Sequence, residues 1–237
     1  MLLATDLDGT FLAGNPRQRR DLYQWLKLEN NIQLIYVTGR AIPLVLPLLK
    51  DASLPQPDFI IGDVGASIAD YSGELIAEFI DEIDAQWPGE HAVMQALTGL
   101  SLLQRQQQPQ ARRCSFYCDS VALANSVKER LLPLDCDVLF SAGHYLDVLP
   151  KNINKGSSLK RLVRHLNIQT ADVLVAGDTL NDLSMYMHGF NGVCVSGSEV
   201  ALLEATRDMP TVLHSVGIGC EGIAEAISHF YKRSSIT

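Results

Sequence analysis

Three short apolar runs end on polar side chains able to do chemistry. Leu2–Thr5 runs into Asp6-Leu7-Asp8-Gly9-Thr10, and Ile32–Val37 runs into Thr38-Gly39-Arg40. Val173–Ala176 runs into Gly177-Asp178, with Asn181 and Asp182 close behind. Read as parallel strands of an open sheet, these runs bring Asp6, Asp8, Thr38, Asp178 and Asp182 to one crevice. Such sheets bind ligands beyond the carboxyl ends of their strands. One Asp at a strand end is an ordinary turn or cap residue; four on one edge, with a Thr and a Lys near, point to a site. Four carboxylates held together repel, and they stay ionised cheaply only around a cation. An all-oxygen donor set suits Mg²⁺, an ion that shares its shell readily with a substrate phosphate. Lys155 stands at or near the start of a helix, the end whose dipole favours negative charge. A local rule broken in this way points to function. Beside carboxylates, a lysine there can neutralise a phosphate or orient a nucleophile.

The elements that must position these groups read as α/β. Phe59–Ile61 and Val193–Val195 complete a set of five continuous apolar runs, the pattern of strands covered by helices on both faces. Asn15-Pro16 caps a helix carrying Leu22, Trp25 and Leu26 at helical spacing. A second helix carries Leu159, Leu162, Val163 and Leu166 on one face. Alternation of strand and helix implies a Rossmann-like parallel-sheet core. Pro47 should interrupt any helix through Leu44–Leu49. From about Glu82 to Pro150 the chain is more polar, with strands expected at Cys114–Cys118, Asp137–Phe140 and Tyr145–Leu149 and a helix at Val121–Leu132. Gln104–Gln110 reads as a loop. The expected division is a core of residues 1–81 and 154–237 with an inserted α+β cap of residues 82–153.

Composition narrows the function class. The chain has 237 residues, 47% of them hydrophobic, and a net charge of −8. No basic stripe exists to neutralise a nucleic acid backbone. No run approaches the ~20 apolar residues that span a membrane. Asp6 arrives too early for the apolar core of a secretory signal. The five cysteines lack zinc spacing and read as free thiols of a reducing cytoplasm. A phosphorylation-switch module with Asp63 as acceptor is a rival reading, but such a module is about half this length and starts with adjacent acids.

The four segments Asp6–Thr10, Thr38–Arg40, Lys155-Gly156 and Gly177–Asp182 resemble, in order, the motifs of the haloacid dehalogenase superfamily, in the class with a large α/β cap. The likeness extends to the sucrose-phosphate phosphatase branch through Val37–Arg40, Pro57–Ile61, Ser115–Tyr117, Leu146–Pro150 with Asn154–Gly156, and the closing Gly222-Ile223, Ala226-Ile227 and His229-Phe230. The resemblance implies an enzyme, a phosphatase for a small phosphorylated sugar. Asp6 would be the nucleophile and Asp8 the general acid and base, with Thr38 and Lys155 holding phosphoryl oxygens. Asp6, Asp8 (through its carbonyl) and Asp178 would bind Mg²⁺, with Asp182 supporting that shell. Gly39, Arg40 and Asn181 would line the substrate. Sucrose 6-phosphate is the expected substrate; mannosylfructose phosphate and glucosylglycerol phosphate are alternatives. A phosphomutase is another, and so is a non-catalytic regulatory domain docked on a sugar-phosphate synthase. No nucleic acid or membrane partner is expected. The branch tends to carry a Glu after a Gly-Thr pair past the third strand, where this chain has Val64-Gly65-Ala66-Ser67. Gln104, Arg113 and His144 are the cap residues considered for reading the sugar.

Overall fold

A computed structural model describes residues 1–231. In chain order its elements are β1 (Leu2–Thr5), α1 (Pro16–Leu28), β2 (Gln33–Val37), α2 (Ile42–Val45), β3 (Phe59–Gly62), β4 (Ser67–Asp70) and α3 (Ala77–Asp84). Then come α4 (Glu90–Ala96), β5 (Gln104–Arg105), β6 (Cys114–Tyr117), α5 (Val121–Leu131), β7 (Cys136–Ser141) and β8 (Tyr145–Pro150). The chain closes with α6 (Lys155–His165), β9 (Val173–Gly177), α7 (Leu183–Tyr186), β10 (Asn191–Cys194), α8 (Val200–Thr206), β11 (Val212–His214) and α9 (Cys220–Tyr231).

Seven strands form one sheet in the order β11-β10-β9-β1-β2-β3-β4. All its pairings are parallel except that of β4, which returns antiparallel against β3. The order reverses at β1: the chain first builds outward through β2 and β3, then returns to build through β9, β10 and β11. Ligand crevices form at such a reversal. Successive strand residues face opposite sides, and both sides are covered. Leu3, Leu34, Tyr36 and Ile60 pack with Leu22, Leu26 and Ile223 from α1 and α9. Leu2, Ala4, Ile35, Val37 and Ile61 pack with Leu159, Leu162 and Met185 from α6 and α7. Two-sided burial is why these strands read as unbroken apolar runs.

Asn15 accepts a hydrogen bond from the Arg17 amide, Pro16 opens α1, and Leu22, Tyr23 and Leu26 are buried along it. Pro47 separates α2 from a single tight turn at Leu48–Lys50, so no continuous helix crosses that stretch.

A second sheet, β5-β6-β8-β7, is antiparallel throughout. Cys114 and Phe116 of β6 and Leu146 and Val148 of β8 point to one face, where they pack with Val93, Ala124, Val127 and Leu131 from α4 and α5. Alternation sends Ser115 and Asp147, directly paired across the strands, to the opposite face. Ile80, Ile83, Leu149 and Ile153 close a small apolar cluster against Val64 and Ala66 at the end of β3.

Candidate active site

The site begins where β1 stops. The Asp6 amide donates to the carbonyl of Ala176 on β9, so the backbone is still held to the sheet as the side chain turns into the crevice. Lys155, the first residue of α6, reaches across with its whole side chain buried. Its Nζ donates to Asp6 Oδ1 and to Asp182 Oδ1, each at 2.7 Å. Asn154 and Ser157 form a reciprocal cap that fixes the start of α6 and therefore the Lys155 backbone. Gly65 lies against this cap with φ +108°; a Cβ there would stand 2.3 Å from the Asn154 carbonyl carbon. Burial opposes charge on Lys155, but Asp182 and Asp6 outweigh it and hold the ammonium form.

Asp178 follows β9 and accepts from Thr10 Oγ1 at 3.0 Å. Gly9, at φ +83°, lets the β1 loop come this near: a Cβ would sit 2.1 Å from Asp178 Oδ2. Asp182 is fully buried. Its Oδ2 accepts from the amides of Asp178 and Thr179, at 2.9 and 3.0 Å. With Oδ1 on Lys155, Asp182 has both oxygens occupied. Ligand atoms of Asp6, Asp178 and Asp182 all lie within 4.8 Å of one another. Burial is the main force on Asp6, pushing its carboxyl up to about 8; Lys155 draws it down, while Asp182 and Asp178 add to the rise. Asp178 rises to about 6, chiefly through burial and then Asp182. Crowded carboxylates that resist ionisation are a donor set a hard divalent cation would fit. Asp6 and Asp178 are the members of the cluster able to give it oxygen.

Asp8, two residues on, is half exposed. Both its oxygens are gripped by Arg40, from Nε at 2.7 Å and Nη2 at 2.6 Å. Thr38 is buried at the end of β2, and its Oγ1 accepts from the Arg40 amide at 3.1 Å. Asp6, Asp8, Gly39, Arg40 and Asn181 line one cavity of about 250 Å³. The Asn181 side-chain oxygen is buried there without a partner. A larger cavity, about 650 Å³, lies between α1 and α9 around Met1, Trp25 and Tyr231, and none of the strand-end groups reaches it.

The far wall of the smaller cavity comes from the second sheet: Gln106, Gln108, Arg113, Ser141, Tyr145 and Asp147. Arg113 is only 2% exposed and lies between two carboxylates, with Nε 3.0 Å from Asp63 and Nη1 3.5 Å from Asp147. Ser67 Oγ donates to Asp63 Oδ2 at 2.8 Å. Glu199, preceding α8, ties the two sheets together by accepting from the amides of Ala142 (2.8 Å) and Leu180 (2.5 Å). Asp147, Gln106, Gln108 and Glu199 were not singled out from the sequence. The signal for Asp147 was a lone acid facing Ser115 in a strand pair; Glu199 offered none. Gln104 is exposed in β5 and away from the cavity wall. His144 is on the surface, paired with Asp119 and stacked on Tyr117.

The whole described chain, residues 1–231, matches the model of the sucrose-6F-phosphate phosphohydrolase family. Glucosylglycerol-phosphate synthase of Pseudomonas anguilliseptica is 51% identical over 232 residues, 97% of this chain and 31% of that protein. The chain thus spans about a third of that relative. Mannosylfructose-phosphate phosphatase of Agrobacterium fabrum is 32% identical over 238 residues, 97% of this chain and 96% of that one. The crystal structure of the sucrose-phosphatase from Synechocystis, in complex with sucrose and phosphate, superposes with a TM-score of 0.86 at 27% identity, covering 97% of both chains. On the match over residues 1–231, the chain belongs to the sucrose-6F-phosphate phosphohydrolase family of haloacid-dehalogenase-like phosphatases.

Proposed function

We propose that the chain is a Mg²⁺-dependent phosphatase that hydrolyses a phosphorylated glycoside through a phosphoaspartate at Asp6. The observation that carries this reading is a buried Asp6 on the cavity wall, oriented by Lys155 and flanked by Asp178. Asp6 attacks phosphorus, forming a new O–P bond as the ester O–P bond breaks. Asp8, protonated, passes its proton to the departing glycoside oxygen. It then takes a proton from water, which attacks phosphorus and returns Asp6 and free phosphate. To act, Asp8 must release at least one of its bonds to Arg40. Thr38 and Lys155 stabilise charge on the transferring group. Asp6, Asp178 and the Asp8 carbonyl would hold Mg²⁺, with Asp182 orienting Asp178 and Lys155; the ion, when bound, supplies charge neutralisation to the phosphoryl oxygens. Gly39, Arg40 and Asn181 face the substrate.

The substrate we favour is a glycosylglycerol phosphate. The 51% relationship to a glucosylglycerol-phosphate synthase supports it. Sucrose 6-phosphate, the expectation from sequence, stands second, favoured by the sucrose-bound relative. Residues 82–153 would act as the cap over a core of residues 1–81 and 154–237. We also propose association with a sugar-phosphate synthase, on the strength of the same longer relative, and a cytoplasmic setting, supported by five free cysteines. Among the described residues no helix is long and apolar enough to cross a membrane.

The test is phosphate release with Mg²⁺ from glucosylglycerol phosphate, sucrose 6-phosphate, mannosylfructose phosphate, glucose 6-phosphate and a nucleotide. The reading expects the three glycoside phosphates to lead in kcat/KM, with glucosylglycerol phosphate first. A nucleotide or glucose 6-phosphate in the lead overturns it, and transfer to an acceptor without free phosphate would instead mark a phosphomutase.

A further inference from the structure

We propose that Glu199 is a positioning residue that couples the second sheet to the loop carrying Asp178 and Asp182, so that a glycoside held under that sheet and a divalent cation held by the acids each tighten the binding of the other. The proposal rests on the phosphatase reading above and adds to it a link between its two sites.

Three observations carry it. First, one carboxylate spans the two sheets. Glu199 Oε1 accepts from the amide of Ala142, in the turn between β7 and β8, at 2.8 Å. Its Oε2 accepts from the Leu180 amide at 2.5 Å. The Glu199 backbone is tied to the same loop, since its own amide donates to the Asp178 carbonyl at 2.8 Å. The side chain therefore has a fixed base and two fixed ends. Asp182 holds the amides of Asp178 and Thr179, so three successive amides of this loop are held by carboxylates. Glu199 is the holder that also touches the other sheet.

Second, the bridge stands where movement of the second sheet is largest. The chain crosses between the sheets after α3 and again between Pro150 and Lys155. There Ile80, Ile83, Leu149 and Ile153 pack on Val64 and Ala66. Ala142 lies past the other end of β8, where Tyr145 pairs with Ser141. The strand Tyr145–Pro150, at about 3.3 Å per residue, sets the two ends roughly 16 Å apart. A rotation about the crossing therefore moves Ala142 farther than the residues beside it. The cavity lies between, with Ser141 and Ala142 on one wall and Thr179 and Asn181 on the other. An occupant that draws the second sheet onto the first completes the bond from Ala142 to Glu199, and with it the support of Leu180.

Third, the turn is shaped to make this contact. Ala142 holds φ +51° beside Gly143 at φ +62°, a region that glycine takes freely and alanine does not. The turn closes through the His144 amide on the Ser141 carbonyl, which leaves the Ala142 amide to Glu199. Backbone strain of this kind persists where the surroundings hold it.

The test is calorimetric titration of Mg²⁺ with and without excess sucrose or glucosylglycerol, neutral glycosides with no phosphate to touch the ion. Wild type is compared with Glu199→Gln and Glu199→Asp. Gln offers one acceptor oxygen and an NH₂ that cannot accept, so it serves one amide only. Asp keeps the charge on an arm too short for both. Thermal melts check that each variant folds, and either one alone decides the outcome. Because coupling between sites is reciprocal and starts at about fivefold, the expected result is a wild-type Kd for Mg²⁺ lowered by about fivefold or more with glycoside. In the variants that ratio should be near one. Hydrogen exchange reads the same link without metal: glycoside should slow exchange at the Leu180 amide in wild type and not in the variants. A merely structural Glu199 would weaken Mg²⁺ equally with and without glycoside, keeping the wild-type ratio, and that overturns the proposal. A wild-type ratio of one overturns it too. Phosphate release measured beside this separates the two readings. If wild type hydrolyses glycoside phosphates but shows no coupling, only this proposal falls; if it hydrolyses none, the phosphatase reading falls and takes this proposal with it.

Discussion

At the scale of single residues, the two motif acids of the β1 loop are in opposite surroundings. Asp6 is buried and clamped by Lys155; Asp8 is half exposed and gripped by Arg40. A general acid matters most when the leaving oxygen is poor. Asp8→Asn should therefore lose about 10²–10⁴-fold in kcat on a glycoside phosphate, and much less on p-nitrophenyl phosphate. Equal losses on both would make Asp8 a structural group. Asp178 and Asp182 should also separate. Asp178→Asn should weaken Mg²⁺ binding by removing a ligand charge. Asp182→Asn should chiefly destabilise the fold, because it leaves Lys155 short of one buried partner, a loss that typically costs about 3–5 kcal/mol. Calorimetric metal titration beside thermal melts tells them apart; the reverse pattern would place Asp182, not Asp178, on the ion.

At the scale of elements, the site depends on how closely loops can approach. Gly65 packs under the cap of α6, and a side chain there meets both a positive φ and backbone at 2.3 Å. Gly65→Ala should displace Asn154 and Lys155 and reduce phosphate release by at least tenfold, about 1.4 kcal/mol, with a lower melting temperature. An unchanged enzyme would show that Lys155 is held by other means. The strands that carry the catalytic motifs were legible because burial on both faces leaves an unbroken apolar signature, and the helix at Asn15-Pro16 because its cap and first turn are local. β4 and β5 were not legible. β4 is a short return of Ser67–Asp70 with no apolar run of its own, and β5 has two residues inside a polar stretch. The motif acids could be placed from strand ends alone. The partners of Asp63, Asp147 and Glu199 could not: Asp63 and Glu199 meet groups brought close by the packing of one sheet against the other, and Asp147 meets Ser115 and Arg113 through strand pairing within the second sheet.

At the scale of the whole molecule, a cluster of acids is held at the centre of a sheet that must fold around it. Asp6 and Asp178 have carboxyls raised in the fold to about 8 and about 6, above the value of an unfolded Asp. The folded state therefore binds more protons than the unfolded chain. Their contribution to stability is greatest at low pH and is lost as pH rises from about 4 towards 8. A divalent cation bound by these acids would offset this loss by holding the ionised form. Mg²⁺ should accordingly raise the melting temperature more at about pH 8 than at about pH 5.5. A gain that is equal at both, or larger in acid, would show that these carboxylates do not receive the ion.

In the proposed reaction Asp6 carries the phosphoryl group. The most direct measurement of that role is phosphate release from glucosylglycerol phosphate with Mg²⁺ by wild type and by Asp6→Asn, with both shown folded by thermal melt. The substitution keeps size and removes only the nucleophilic carboxylate. Wild type should release phosphate steadily, and the variant none above background. A folded Asp6→Asn protein releasing phosphate at a near wild-type rate would contradict it.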